Sequence, residues 1–114
     1  MDFSVQKVNE VTLFEINGDM WGNPDMFKII DETKAQLEKG ERKFLVDLKK
    51  TKRLDSTGVG ILIHMLTSVK NAEGELRLCE VTGKTKAALS VTGVWQIFEI
   101  HGTREEALRS YTGF

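Results

Sequence analysis

The chain has 114 residues, which suits one domain with one hydrophobic core and is too short for two. Hydrophobic residues make up 40% and charged residues 29%, the balance of a soluble folded domain rather than a disordered one. A formal net charge of -1 gives no electrostatic ground for nucleic acid or an anionic membrane as a partner, and no apolar run approaches the roughly 20 residues that span a bilayer.

The opening residues, Met1-Asp2-Phe3-Ser4, lack the basic and apolar blocks of a secretory signal. Residues 3–8 suit a strand. Its antiparallel partner follows, where Thr12, Phe14 and Ile16 alternate with Leu13 and Glu15. Gly18-Asp19-Met20-Trp21-Gly22 reads as a loop. Asn23-Pro24-Asp25 then opens a helix, with asparagine as N-cap, proline at the first helical position and an acid behind it. Met26, Ile30, Thr33 and Leu37 continue it at helical spacing, and Gly40 is its stop. Residues 44–48 form a short, nearly continuous apolar run, the pattern of a central strand covered on both faces. Val59, Leu62, Met65, Leu66 and Val69 mark one face of the next helix. After a turn at Gly74, Leu76 and Leu78 alternate with Arg77 in another strand. Cys79 sits in that strand as a small buried hydrophobe; a single cysteine makes no internal disulfide and suggests a reducing, cytoplasmic setting. A weaker helix spans 82–91, bounded near Gly93. Residues 97–100 read as a last strand, with Trp95 before it as core or core edge. Thr103-Arg104-Glu105-Glu106 is a capping box that opens a terminal helix through Ala107 and Leu108.

This order, two strands and then helices alternating with strands, predicts an α/β domain over 1–114 with a mixed, mostly parallel sheet. In such sheets functional loops gather at the carboxyl ends of the strands. The segment Leu54-Asp55-Ser56-Thr57-Gly58-Val59-Gly60 lies at that end, between a buried strand and a helix. It places Ser56 at or beside a helix N-terminus, where unpaired N–H groups favour a hydroxyl or a phosphate. Two readings are open. Ser56 or Asp55 is a helix cap worth about 1 kcal/mol; or Ser56 is a modifiable switch. For the second, Gly60, Ile63 and Thr67 follow at helical spacing in a stripe beside the core stripe, a smooth surface suited to docking. Ile63 alone is equally a lone surface apolar residue.

The stretch 44–69, with its Leu-Asp-Ser-Thr-Gly-Val-Gly core, resembles the bacterial anti-sigma factor antagonists of the STAS domain family. The likeness continues through Gly18, through Gly74-Glu75-Leu76-Arg77-Leu78-Cys79, through Leu89-Ser90-Val91-Thr92-Gly93-Val94 and through residues 98–107. The resemblance implies a four- or five-stranded sheet with about four helices, mainly on one face. It implies phosphorylation of Ser56, with Thr57 the alternative acceptor, by a partner anti-sigma factor that is a serine kinase. A PP2C-type phosphatase would reset the switch. The chain would be a substrate and regulator, with no catalytic activity, cofactor or metal of its own. Its partner-binding residues would be Asp19, Trp21, Asp55, Ser56, Thr57, Gly58, Gly60, Ile63 and Thr67. The family often carries an aspartate where this chain has Trp21. That residue is then an interface anchor for a different partner, or a lid folded over core. A STAS module serving as a structural or ligand-sensing subunit, with Ser56 unmodified, is the alternative function.

Lys49-Lys50-Thr51-Lys52-Arg53 precedes the motif and reads as a solvated loop or as an attractor for phosphate or an acidic partner. Serine hydrolysis lacks a base: His64 lies on the order of 12 Å along the helix from Ser56 by helix rise, and nothing places His101 near it. One cysteine and two scattered histidines do not make a metal site, and no Gly-x-x-x-x-Gly-Lys phosphate loop is present.

Overall fold

The computed structural model describes residues 1–22 and 24–112. β1 (Asp2–Val8) and β2 (Val11–Asn17) form an antiparallel hairpin in which Val8 faces Val11. A 3₁₀ turn (Pro24–Phe27) then leads into α1 (Lys28–Glu38), followed by β3 (Lys43–Lys50), α2 (Ser56–Asn71), β4 (Glu75–Cys79) and α3 (Gly83–Val91). A second 3₁₀ turn (Val94–Ile97), β5 (Glu99–His101) and α4 (Arg104–Thr112) complete the order. The five strands lie in the order β1-β2-β3-β4-β5, with β2 to β5 mutually parallel, so the mixed, mostly parallel sheet holds.

Alternation along β3 sets the two faces. Phe44, Val46 and Leu48 point to one side, with Phe14, Ile16, Leu76 and Leu78 of the neighbouring strands. That side packs on Ile29 of α1, on Val59, Leu62, Met65 and Val69 of α2, and on Leu89 of α3. Full burial of each such side chain contributes roughly 1.5–3 kcal/mol. Val11, Leu13, Leu45 and Cys79 point the other way and pack on Ala107 of α4. Three helices thus share one face and α4 covers the other. No helix of the described residues is long and apolar enough to cross a membrane.

Two sequence expectations need correction. The last strand is not 97–100: Ile97 closes a 3₁₀ turn and stays 51% exposed, while β5 covers Glu99–His101. Gly93, with φ 76°, starts that turn, and a short apolar run has no period to tell turn from strand. The first helix begins as 3₁₀, and α-helix starts only at Lys28. Its tighter winding turns the inward line from Met26 to Ile29, which is fully buried, and leaves Ile30 and Leu37 partly buried. The expected asparagine cap, Asn23, lies outside the described residues.

Candidate functional site

Two loops leave the carboxyl end of the sheet side by side, 18–22 after β2 and 51–55 after β3. A single parallel bridge, Met20 to Leu54, joins them. The Met20 N–H donates to the Arg53 carbonyl at 3.0 Å, and the Asp55 N–H donates to the Met20 carbonyl at 3.1 Å. Met20 is fully buried and anchors the pair. Asp19 reinforces it: one carboxylate oxygen accepts from both the Lys52 and Arg53 amides, each at 3.0 Å. On α3, buried Thr85 donates its hydroxyl to the Thr51 carbonyl at 2.9 Å and ties the second loop from the far side.

Asp55 is the cap of α2. Its backbone is extended (φ −88°, ψ −177°), as an N-cap requires, and its carboxylate accepts from the Gly58 N–H at 2.8 Å. The other carboxylate oxygen accepts from the Gly22 N–H at 3.0 Å, so one side chain holds both the helix start and the first loop. Ser56 therefore stands at the first helical position, exposed, and its hydroxyl has no hydrogen-bond partner among the described residues. Thr57 is exposed beside it. Gly58 is buried where the first turn of α2 meets the Met20 backbone.

Gly60, Ile63 and Thr67 come together as the sequence stripe suggested, with Lys34 of α1 and with His64, Ser68 and Asn71, around one shallow groove between α1 and α2. Gly60 and Thr67 are exposed and Ile63 is half-buried. Trp21 is 58% exposed, so it does not fold over the core. It lines a separate depression with Arg53, Leu54 and Lys84.

The STAS domain profile matches residues 2–107. The chain belongs to the STAS domain family. Among its relatives, a candidate anti-sigma factor antagonist from Thermotoga neapolitana, a homologue of TM1081, is 31% identical over 93 residues, or 80% of each chain. Another candidate antagonist, BtrV of Bordetella bronchiseptica, is 29% identical over 80 residues, covering 70% of this chain and 69% of BtrV. The fold matches that of the Bacillus anti-sigma factor antagonist SpoIIAA. The unphosphorylated form aligns with TM-score 0.78 at 17% identity, over 99% of this chain and 100% of SpoIIAA. The phosphorylated form aligns with TM-score 0.75 at 16% identity, over 96% and 99%.

Within this STAS fold, the basic run before the motif is partly spoken for. Lys50 pairs with Glu15 at 3.5 Å, and Arg53 reaches Asp19 at 3.9 Å. Below the run, buried Asp47 accepts from the Lys49 amide at 2.8 Å and from Arg104 Nε at 2.7 Å, and Arg104 also pairs with Glu15. The Arg104 hydrogen bond holds the Glu15 carboxyl below its ordinary range, against the opposing effect of burial. Burial, with Asp47 and Glu80 nearby, pushes the Cys79 thiol well up, which leaves it a packing residue and a poor nucleophile. His64 meets Ser68 at 3.4 Å, and His101 meets Glu99 at 2.8 Å. Among the described residues no cluster of three His, Cys, Asp or Glu side chains is placed to hold a metal ion. Sequence reasoning missed Lys84 and Thr85, which reach the loops from α3, and Arg104 of α4, which holds Asp47 and Glu15 below the basic run. Only the Thr-x-x-Glu cap of α4, where Thr103 accepts from the Glu106 N–H, hinted that Arg104 sits at a helix start.

Proposed function

We propose that this STAS domain is a phosphorylation-controlled anti-sigma factor antagonist. Unphosphorylated, it binds an anti-sigma factor that is a serine kinase and so releases that kinase's sigma factor. Phosphorylation of Ser56 blocks the binding, and a PP2C-type phosphatase restores it. The observation that carries this reading is the division of labour at the start of α2: Asp55 caps the helix, and the exposed Ser56 hydroxyl is free of structural duty.

A phosphate there adds about −1.5 to −2 charges at neutral pH. The positive end of α2 tolerates such a group, so the fold need not melt. The effect falls on the partner surface. A bulky anion beside Gly60 and Ile63 must cost roughly 4 kcal/mol to weaken docking a thousandfold, within reach of a charge desolvated or repelled at a contact. Thr57 is the alternative acceptor. Asp19 acts in this scheme by holding the loop, and Trp21 by contact.

Phosphosite mapping after incubation of the purified chain with lysate of its source cells and ATP tests the reading. Phosphate on Ser56, absent from Ser56→Ala, supports it, and Ser56→Asp should then lose the kinase. An unmodified Ser56 in a lysate shown to be kinase-competent favours an unmodified structural or ligand-sensing STAS subunit.

A further inference from the structure

We infer that the depression beside Trp21 is a second anchor point for a protein partner, and that it takes an acidic segment of that partner carrying an apolar side chain. The inference deepens the docking reading above and rests on this end of the sheet being a protein-binding surface. It does not require that Ser56 be modified.

The depression measures about 240 Å³ and is lined by Trp21, Arg53, Leu54 and Lys84, with no carboxylate among them. Buried Leu54 supplies the apolar part of the lining, and Trp21, 58% exposed, supplies the indole. Lys84 makes no ion pair among the described residues. Arg53 has only the long 3.9 Å approach to Asp19, whose other carboxylate oxygen already serves two backbone amides. Two cations, an indole and a leucine match a carboxylate placed next to an apolar side chain. Tryptophan and arginine are also the residues that most often dominate interface energetics.

Trp21 is held ready for such a contact. Buried Met20 precedes it, and the Gly22 amide behind it is clamped by Asp55. Little loop freedom remains to be lost on binding. Exposed Lys52 adds a third cation next to Arg53 in the chain, with Lys84 of α3 across the depression, although the whole chain carries net charge -1. Local charge of this kind steers an acidic partner toward the site. The volume is below the roughly 300–1,000 Å³ of small-molecule pockets, which favours an inserted side chain over a nucleotide.

The test uses the full ¹⁵N-labelled chain, whose two tryptophans give two indole N–H signals. Trp95, half-buried with Lys86 over its ring, is the internal reference. The probes are the end-blocked peptide Glu-Glu-Leu-Glu-Glu, its Gln-Gln-Leu-Gln-Gln counterpart, ATP and inorganic phosphate. The Glu peptide should move the Trp21 signal saturably and leave Trp95 in place. The Gln peptide should bind about tenfold more weakly, and Lys84→Glu, an exposed change, should weaken the Glu peptide by about tenfold or more. Absence of a shift, equal response to both peptides, or indifference to Lys84→Glu overturns the proposal. An equal response to ATP or phosphate replaces it with an anion site, and a shift on raising protein concentration alone replaces it with self-association. A lysate that leaves Ser56 unmodified would not alter any of these readouts, so the two proposals fail separately.

Discussion

A methyl group at Gly58 would lie 2.6 Å from the Met20 carbonyl oxygen and 2.7 Å from Leu54 Cδ1. Neither backbone nor buried leucine can retreat that far without disturbing the junction of the two loops. Gly58→Ala should therefore cost about 1–3 kcal/mol in chemical denaturation, as overpacking does. Gly60 is the contrast, since a Cβ there meets nothing within 4 Å. Gly60→Ala should raise stability by roughly 0.5–1 kcal/mol by helix propensity, while its methyl intrudes on the groove and weakens docking. The same division separates Asp55 from Ser56. Asp55→Ala removes the cap and the Gly22 tie, a loss of at least about 1 kcal/mol. Ser56→Ala, with no hydrogen bond to lose, should stay within about 0.5 kcal/mol of the parent. Equal losses from the two changes would contradict the assignment of the cap to Asp55.

The α4 helix is fastened by polar contacts as much as by its short apolar face. Asp47 is 2% exposed, and its only charged partner among the described contacts is Arg104 on α4, 57 positions along the chain. Arg104→Met would strand a buried carboxylate. Such losses reach about 3–5 kcal/mol, but the 31% exposed Arg104 side chain lets water in, so we expect about 2 kcal/mol. Thermal unfolding of the variant beside Arg104→Met/Asp47→Leu checks it, because the double change removes the stranded charge and should recover stability. This pairing also marks where the sequence stops being informative. The α2 stripe, the central strand and the Asp-Ser-Thr-Gly turn were legible because their signals are local: a period of 3.6, an apolar run, a cap. Asp47 interrupts that run with no partner in view. Lys84 is equally silent, since only the folding of α3 onto the loops sets it beside Trp21. The misplaced last strand has another cause, a left-handed glycine that converts an apolar run into a 3₁₀ turn.

At the scale of the whole molecule, the α4 side of the sheet responds to pH at both ends of the scale. Glu15 has a folded pKa below its ordinary value of 4.5, chiefly through the Arg104 hydrogen bond. Its stabilising effect is complete above the unfolded pKa and is lost as pH falls through the folded one. Stability of the parent should thus fall as pH drops below about 4.5, and Glu15→Gln should flatten that limb. Tyr111 acts in the opposite sense. Burial raises its hydroxyl above the ordinary value of 10, and the hydroxyl donates to the Phe44 carbonyl at 2.6 Å. That contribution is complete below the unfolded pKa and fades as pH rises through the folded one. Tyr111→Phe should be less stable at neutral pH and should lose less on alkaline titration. Parallel curves for parent and variant in either limb would rule out the assigned group.

The Met20–Leu54 bridge has a mechanical consequence. Trp21 rides directly after one member of the bridge and Ser56 two residues after the other, so the two exposed side chains are mounted on a common frame. A push on either is carried to the other through two amides, those of Met20 and Asp55, which bond across the frame in opposite directions. Their protons should exchange with deuterium at matched rates, slowly for loop positions, because one opening event frees both. Anything that prises the loops apart speeds the pair together, and a molecule spanning Trp21 and Ser56 slows the pair together.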